Sequence, residues 1–247
     1  MSDAGIKVEI INQHNLLNDI LDTKSDELLT ADEIPVWLNE LFFERILQQH
    51  HRDGNLKVKN LRIKQCGGKG DSYASMMYRV GIFFCDGITP ETTQFVSCIV
   101  KTLPEHDLAI EKLGSDNYNV QNKEMEIYQN ILPEMTRILE SIHEDSAIFP
   151  LVLAVDRKLD VIVLEDLAEK KFVMADRIKG LDLDHTLMAL RKLARMHAAS
   201  VIIHKENPSA FAHLDTGFFT RKTDVFHVMF ESLCEAMIEE VGTWEGY

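Results

Sequence analysis

Over 247 residues the chain sets 26 Lys and Arg against 40 Asp and Glu, a formal charge of −14, with 45% hydrophobic residues. The apolar share is ample for one large domain or two lobes. The acidic balance excludes the dense basic surface that duplex nucleic acid or an anionic membrane would need, but not a small anionic ligand held by a few local cations. Cys66, Cys85, Cys98 and Cys234 stand far apart with no Cys-x-x-Cys pair, which reads as reduced thiols rather than a zinc site or a disulfide frame. There is no basic-then-apolar opening, and no apolar run approaches the roughly 20 residues of a membrane span. The expectation is a soluble, cytoplasmic protein.

Residues 1–33 are polar and acidic, with weak apolar periodicity, and read as a loosely packed extension or a short helix. Pro35 is expected to open a helix over IPVWLNELFFERILQQHH, because its missing N–H has no partner to lose at a first helical position. Trp37, Leu38, Leu41, Phe42 and Ile46 recur at helical spacing on one face, and HRDGN at 51–55 ends the helix. LKVKNLRIKQ (56–65) then alternates as a half-buried strand does. A glycine-rich turn carrying Gly67, Gly68 and Gly70 follows, then strand candidates at 73–84 and 94–103, with Pro104 closing the last. Short turns between them predict an antiparallel meander.

From 117 to 144 the period is helical again, with Met125, Tyr128, Ile131, Leu132, Met135, Ile138 and Leu139 on one face. FPLVLAVD (149–156) and DVIVLEDL (160–167) read as a hairpin, the second strand apolar enough to be central. Helices are expected beyond, over 181–204 with a stripe of Leu183, Leu187, Leu190, Ala194 and Val201, and over 224–242. The order predicts an α+β, protein-kinase-like fold: a five-stranded antiparallel N-lobe with one inserted helix, then an incomplete helical C-lobe. The expected divisions are 1–55 (extension and helix), 56–167 (N-lobe) and 168–247 (partial C-lobe).

A lysine near the end of the third strand, Lys101, stands where such a fold neutralises nucleotide phosphates under a glycine loop. An acid on the next helix must hold it. Glu124 and Glu126 are rotated by about 200° from each other, so only one of them faces the sheet. VLEDL (163–167) would link the lobes, its backbone meeting a nucleotide base, although Glu165 and Asp166 read equally well as surface acids. His197 reads as a packed or capped core histidine.

Together GGKGDSYASMMYRV, FVSCIVKTLP, NKEMEIYQNILP, VIVLEDL and LRKLARMHAAS resemble the ecdysteroid-kinase-like, or CHK kinase-like, family, relatives of choline and aminoglycoside kinases. The resemblance runs from about residue 34 to the end. It implies an ATP-dependent phosphotransferase acting on a small-molecule hydroxyl, such as that of a steroid, with Mg²⁺ as cofactor. It makes Lys101 the phosphate lysine and Glu124 its partner, and it puts Gly68, Gly70, Ser72, Tyr73, Ala74 and Ser75 in the nucleotide loop and Glu165, Asp166 and Leu167 at the base. The family usually has Asn where this chain has Ser72.

The family's catalytic H-x-D-x-x-x-x-N and its later Asp-Phe are not found. His51-Arg52-Asp53 precedes the glycine loop and has Val58 at the Asn position; His143-Glu144-Asp145 has Pro150 there, and His213-Leu214-Asp215 has Thr220. The expectation is a truncated chain with no catalytic or metal-binding residues of its own, inactive alone. The alternative is a pseudokinase-like fragment that binds a nucleotide or, through exposed C-lobe faces, a protein partner or a second copy. The third reading is a plain α+β domain whose glycine loop is only a hairpin.

Overall fold

The computed structural model describes residues 9–10, 34–66, 75–103, 120–145, 147–214 and 224–244. Where an extension or short helix was expected, Glu9–Ile10 form a short strand, β1. The first helix, α1 (Glu40–His51), begins later than Pro35. Asn39 sets the start: its side-chain oxygen accepts from the Phe42 N–H at 3.1 Å, satisfying a donor that the first turn leaves without a partner. Pro35 instead opens a turn closed by the Leu38 N–H. At the other end Arg52 adopts the left-handed conformation, and its N–H returns to the Gln48 carbonyl. The buried face is Leu38, Phe42, Phe43, Ile46 and Leu47. Leu41, expected on that face, is 75% exposed, and its place is taken by Phe43.

Three long strands follow: β2 (Lys57–Gln65), β3 (Met76–Cys85) and β4 (Gln94–Thr102). Then come α2 (Val120–Glu126), a π-helical turn (Ile127–Ile131) and α3 (Leu132–Ser141). Pro133 accounts for the wide turn: it has no N–H for the carbonyl four residues back, and its ring crowds that carbonyl, so the helix widens there instead of breaking. The hairpin β5 (Val152–Asp156) and β6 (Val161–Glu165) completes a sheet of order β2-β3-β4-β6-β5, antiparallel throughout. β3 occupies one edge of β4 from Gln94 to Thr102. β6 takes the other edge from Cys98 onward, and β1 continues along it opposite Gln94 and Phe95.

The pleat sends alternate side chains to opposite faces. On one face Val80, Ile82, Phe84, Val96, Cys98, Val100, Val161 and Val163 form the main core with Leu38, Phe42, Phe43, Ile46 and Leu47 of the α1 region. Burial pushes the Cys98 thiol far up, with the Asp166 carboxylate adding to the effect. On the opposite face Met125 of α2 packs on Ile162 and Leu164, joined by Ile99, Tyr128, Val152 and Val155.

Helices follow β6: a 3₁₀ turn (Leu167–Lys170), α4 (Leu183–Glu206), a second 3₁₀ segment (Pro208–Leu214) and α5 (Asp224–Val241). α4 is capped by Asp182, whose carboxylate accepts from the His185 N–H. It meets α3 through Ala199 and Ile203, which bury against Ile131, Leu132, Met135 and Ile138. The expected inward stripe is on the wrong side: Leu183, Leu187, Leu190, Ala194 and Val201 are all exposed or nearly so. Helical spacing identifies an apolar stripe but cannot say which of two faces has found a partner, and among the described residues the short Met196–Ala199–Ile203 edge has. His197 is likewise exposed, not packed.

Candidate functional site

The site is built on the face of the sheet that α2 crosses. Within β4 the side chains of Ser97, Ile99 and Lys101 share that face. In register, Lys101 lies between Met77 of β3 and Ile162 of β6, and Ile99 between Arg79 and Leu164. Packing of Met125 against Ile162 and Leu164 sets the roll of α2 and carries Glu124 to Lys101. The Lys101 Nζ donates to both Glu124 oxygens, at 2.6 and 2.7 Å. Both side chains are about a quarter exposed, at 23% and 24%, so the pair is shielded but still open to a ligand. An ammonium has three donors, and Glu124 accounts for two of them. Tyr128, one turn on, has its phenol pushed up by burial and, secondarily, by the Glu124 charge.

Glu126 turns away, as the helical rotation requires, and accepts from Arg157 at 2.8 Å and from Asn130 at 2.6 Å. Of the two acids, the sheet-facing one is Glu124.

The roots of the glycine loop stand at the same end of the sheet. The Cys66 N–H donates to the Met77 carbonyl at 2.7 Å, and Met77 is the register partner of Lys101. Ser75, half-buried, directly precedes β3. Gly68, Gly70, Ser72, Tyr73 and Ala74 lie outside the described residues.

Glu165 and Asp166 are not surface acids: both are buried. Glu165 closes the β5 side, its carboxylate accepting from the Leu151 N–H at 2.8 Å and forming an ion pair with Lys170 at 2.5 Å. Asp166 caps the 3₁₀ turn that starts at Leu167, accepting from the Ala168 N–H at 3.0 Å. Its other oxygen takes two side chains from neighbouring strands, Ser97 Oγ at 2.8 Å and Arg79 Nε at 2.8 Å. Both carboxylates therefore shape the chain after β6, and any base contact there falls to the backbone of 165–167. Arg79 and Ser97 were not among the sequence candidates. The signal was there in principle, since each is a polar residue inside an otherwise apolar strand.

Two of the three His-x-Asp look-alikes fall within the described residues and have structural roles; Asp215 of the third lies outside them. Asp53 holds a turn by accepting from the Asn55 and Gly87 N–H groups. Glu144 and Asp145 pair with Arg195 and Lys192, tying the end of α3 to α4. Among the described residues no three His, Cys, Asp or Glu side chains are grouped as a metal ion requires. None of the described residues therefore forms a site for the family's Mg²⁺.

An antiparallel sheet of five main strands, a helix inserted between the third and fourth of these, and a strand lysine clamped by an acid of that helix near the ends of the glycine-rich segment define a kinase-like protein. The family model for the ecdysteroid kinase-like family matches residues 69–247, and the chain belongs to that family. No curated protein and no solved structure matches it. No helix among the described residues is long and apolar enough to cross a membrane.

Proposed function

We propose that the chain is a nucleotide-binding, kinase-like protein of the phosphotransferase type. By family it would use ATP to phosphorylate a small-molecule hydroxyl, such as that of a steroid. The observation that carries this reading is the Lys101–Glu124 pair at the root of the glycine loop. A lysine held there neutralises phosphate charge without first having to order its own flexible stem. We further propose that these 247 residues, by themselves, bind nucleotide without useful transfer. The H-x-D-x-x-x-x-N that would orient the acceptor hydroxyl is not in the sequence, and phosphoryl transfer rests almost wholly on positioning and charge stabilisation.

Radiolabelled ATP with small hydroxylated acceptors tests both parts. The expected result is ATP-dependent thermal stabilisation that Lys101→Ala removes, with no labelled product above background. Turnover that Lys101→Ala abolishes would overturn the inactivity and leave the nucleotide site standing. Absence of any ATP effect on the wild-type chain would overturn the site itself. A second reading, a partner or second copy seated on the C-terminal helices, is favoured by one observation: Leu183, Leu187, Leu190, Leu193 and Val201 on α4, and Leu233, Met237 and Ile238 on α5, are exposed.

A further inference from the structure

A single row of side chains crosses four neighbouring strands on the face that carries Lys101. Lys64 of β2 is the register partner of Arg79, Arg79 of Ile99, and Ile99 of Leu164. Ile99 and Leu164 pack together in the cluster under α2. Arg79 reaches diagonally out of this row to Asp166, just beyond the end of β6. The Asp166 side chain is 3% exposed, whereas that of Arg79 keeps 44% of its surface open. The closest approach of this ion pair is from Nε, at 2.8 Å. One buried carboxylate thus joins three pieces of the site: β3, which leads out of the glycine loop, β4, which carries Lys101, and the turn after β6.

We propose that Arg79 is a positioning and specificity residue for the base of the bound nucleotide. This rests on the nucleotide-binding reading above. Asp166, itself held by Ser97, immobilises the guanidinium, and that has two effects. The turn after β6 is held at a fixed separation from β3 and β4. A flat, permanently charged plane also lies beside the apolar Ile99–Leu164 patch, and a guanidinium plane stacks on an aromatic ring in a way an ammonium cannot. Lys101 and Glu124 serve the phosphate end; Arg79 and Asp166 serve the base end. The two ends are therefore separable by experiment.

The test measures binding of a fluorescent N-methylanthraniloyl-ATP to the full chain, and its displacement by ATP and by tripolyphosphate, which has no base. Arg79→Lys and Arg79→Met are each expected to weaken ATP about tenfold while tripolyphosphate changes less than twofold. Ser97→Ala, which removes one bond to Asp166, is expected to weaken ATP about threefold and serves if the Arg79 variants do not fold. Equal losses for ATP and tripolyphosphate would make the cluster a structural latch only and overturn the proposal, as would variants that bind ATP like the wild type. A wild-type chain that binds neither ligand would instead overturn the nucleotide-binding reading, and the proposal with it.

Discussion

Lys101 and Glu124 lie 23 positions apart and meet through both carboxylate oxygens, at 2.6 and 2.7 Å. The strand fixes one partner and the packed helix the other, so the pair is pre-formed before any ligand arrives. Glu124→Gln removes the charge but keeps the shape. Its expected effect is a loss of roughly tenfold in ATP affinity, read by thermal shift titration. Fold stability should change by no more than about 1 kcal/mol, the scale of an ion pair that solvent still reaches.

The two neighbours Leu41 and Phe43 give opposite results if α1 is rolled as described. Phe43 is fully buried and Leu41 is exposed. Phe43→Ala should lower the unfolding free energy by about 3–5 kcal/mol, the range for deleting a buried aromatic side chain. Leu41→Ala should stay within about 0.5 kcal/mol. Urea denaturation of both variants checks this, and the reverse order would contradict the burial of α1.

Stability should depend on pH through His51. Its ring lies 5.6 Å from that of Phe84, and partial desolvation of this otherwise exposed side chain lowers its pKa, with Asp53 and Asp86 opposing the shift more weakly. The folded chain therefore favours the neutral ring. Between the folded pKa and the ordinary value of about 6.5, the unfolded state binds more protons, so stability falls as pH drops through that window. It levels off below the folded pKa. Urea midpoints between pH 7.5 and pH 5 should show this slope, and His51→Gln should flatten it.

The exposed stripe of α4 makes a separate prediction. Changing Leu187 and Leu190 together to Gln removes apolar surface that is already in water, so the fold should lose less than about 1 kcal/mol. Binding of a hydrophobic dye should fall, and any self-association seen by size-exclusion chromatography should weaken. A large loss of stability would show that the stripe is covered.

The sheet was largely legible because its signals are local: period-two alternation in 56–65, short turns, and an aliphatic run at 160–167. Spacing alone narrowed the partner of Lys101 to Glu124 or Glu126, and the family resemblance chose Glu124. What failed needed knowledge of neighbours. Leu41 and Phe43 are equally apolar, and only the sheet under α1 decides between them. Glu165 and Asp166 look like surface acids in a string of letters, yet Ser97 and Arg79 arrive from strands far away in sequence to bury Asp166. The stripe on α4 was real as a pattern, but its facing depends on what packs there.

Pro133 has a longer reach than its own turn. The widened turn at 127–131 carries one residue more than a regular helix would, and one residue is about 100° of rotation. It separates a piece that answers to the sheet, through Met125, from a piece that answers to α4, through Met135 and Ile138. In a regular helix those two apolar faces would be out of phase, and satisfying α3 would swing Glu124 off Lys101. Pro133→Ala is expected to let the turn tighten, leave overall helicity unchanged by circular dichroism, and weaken ATP binding as Glu124→Gln does. The proline thus acts as a phase corrector, setting from outside the site the direction in which its acid points.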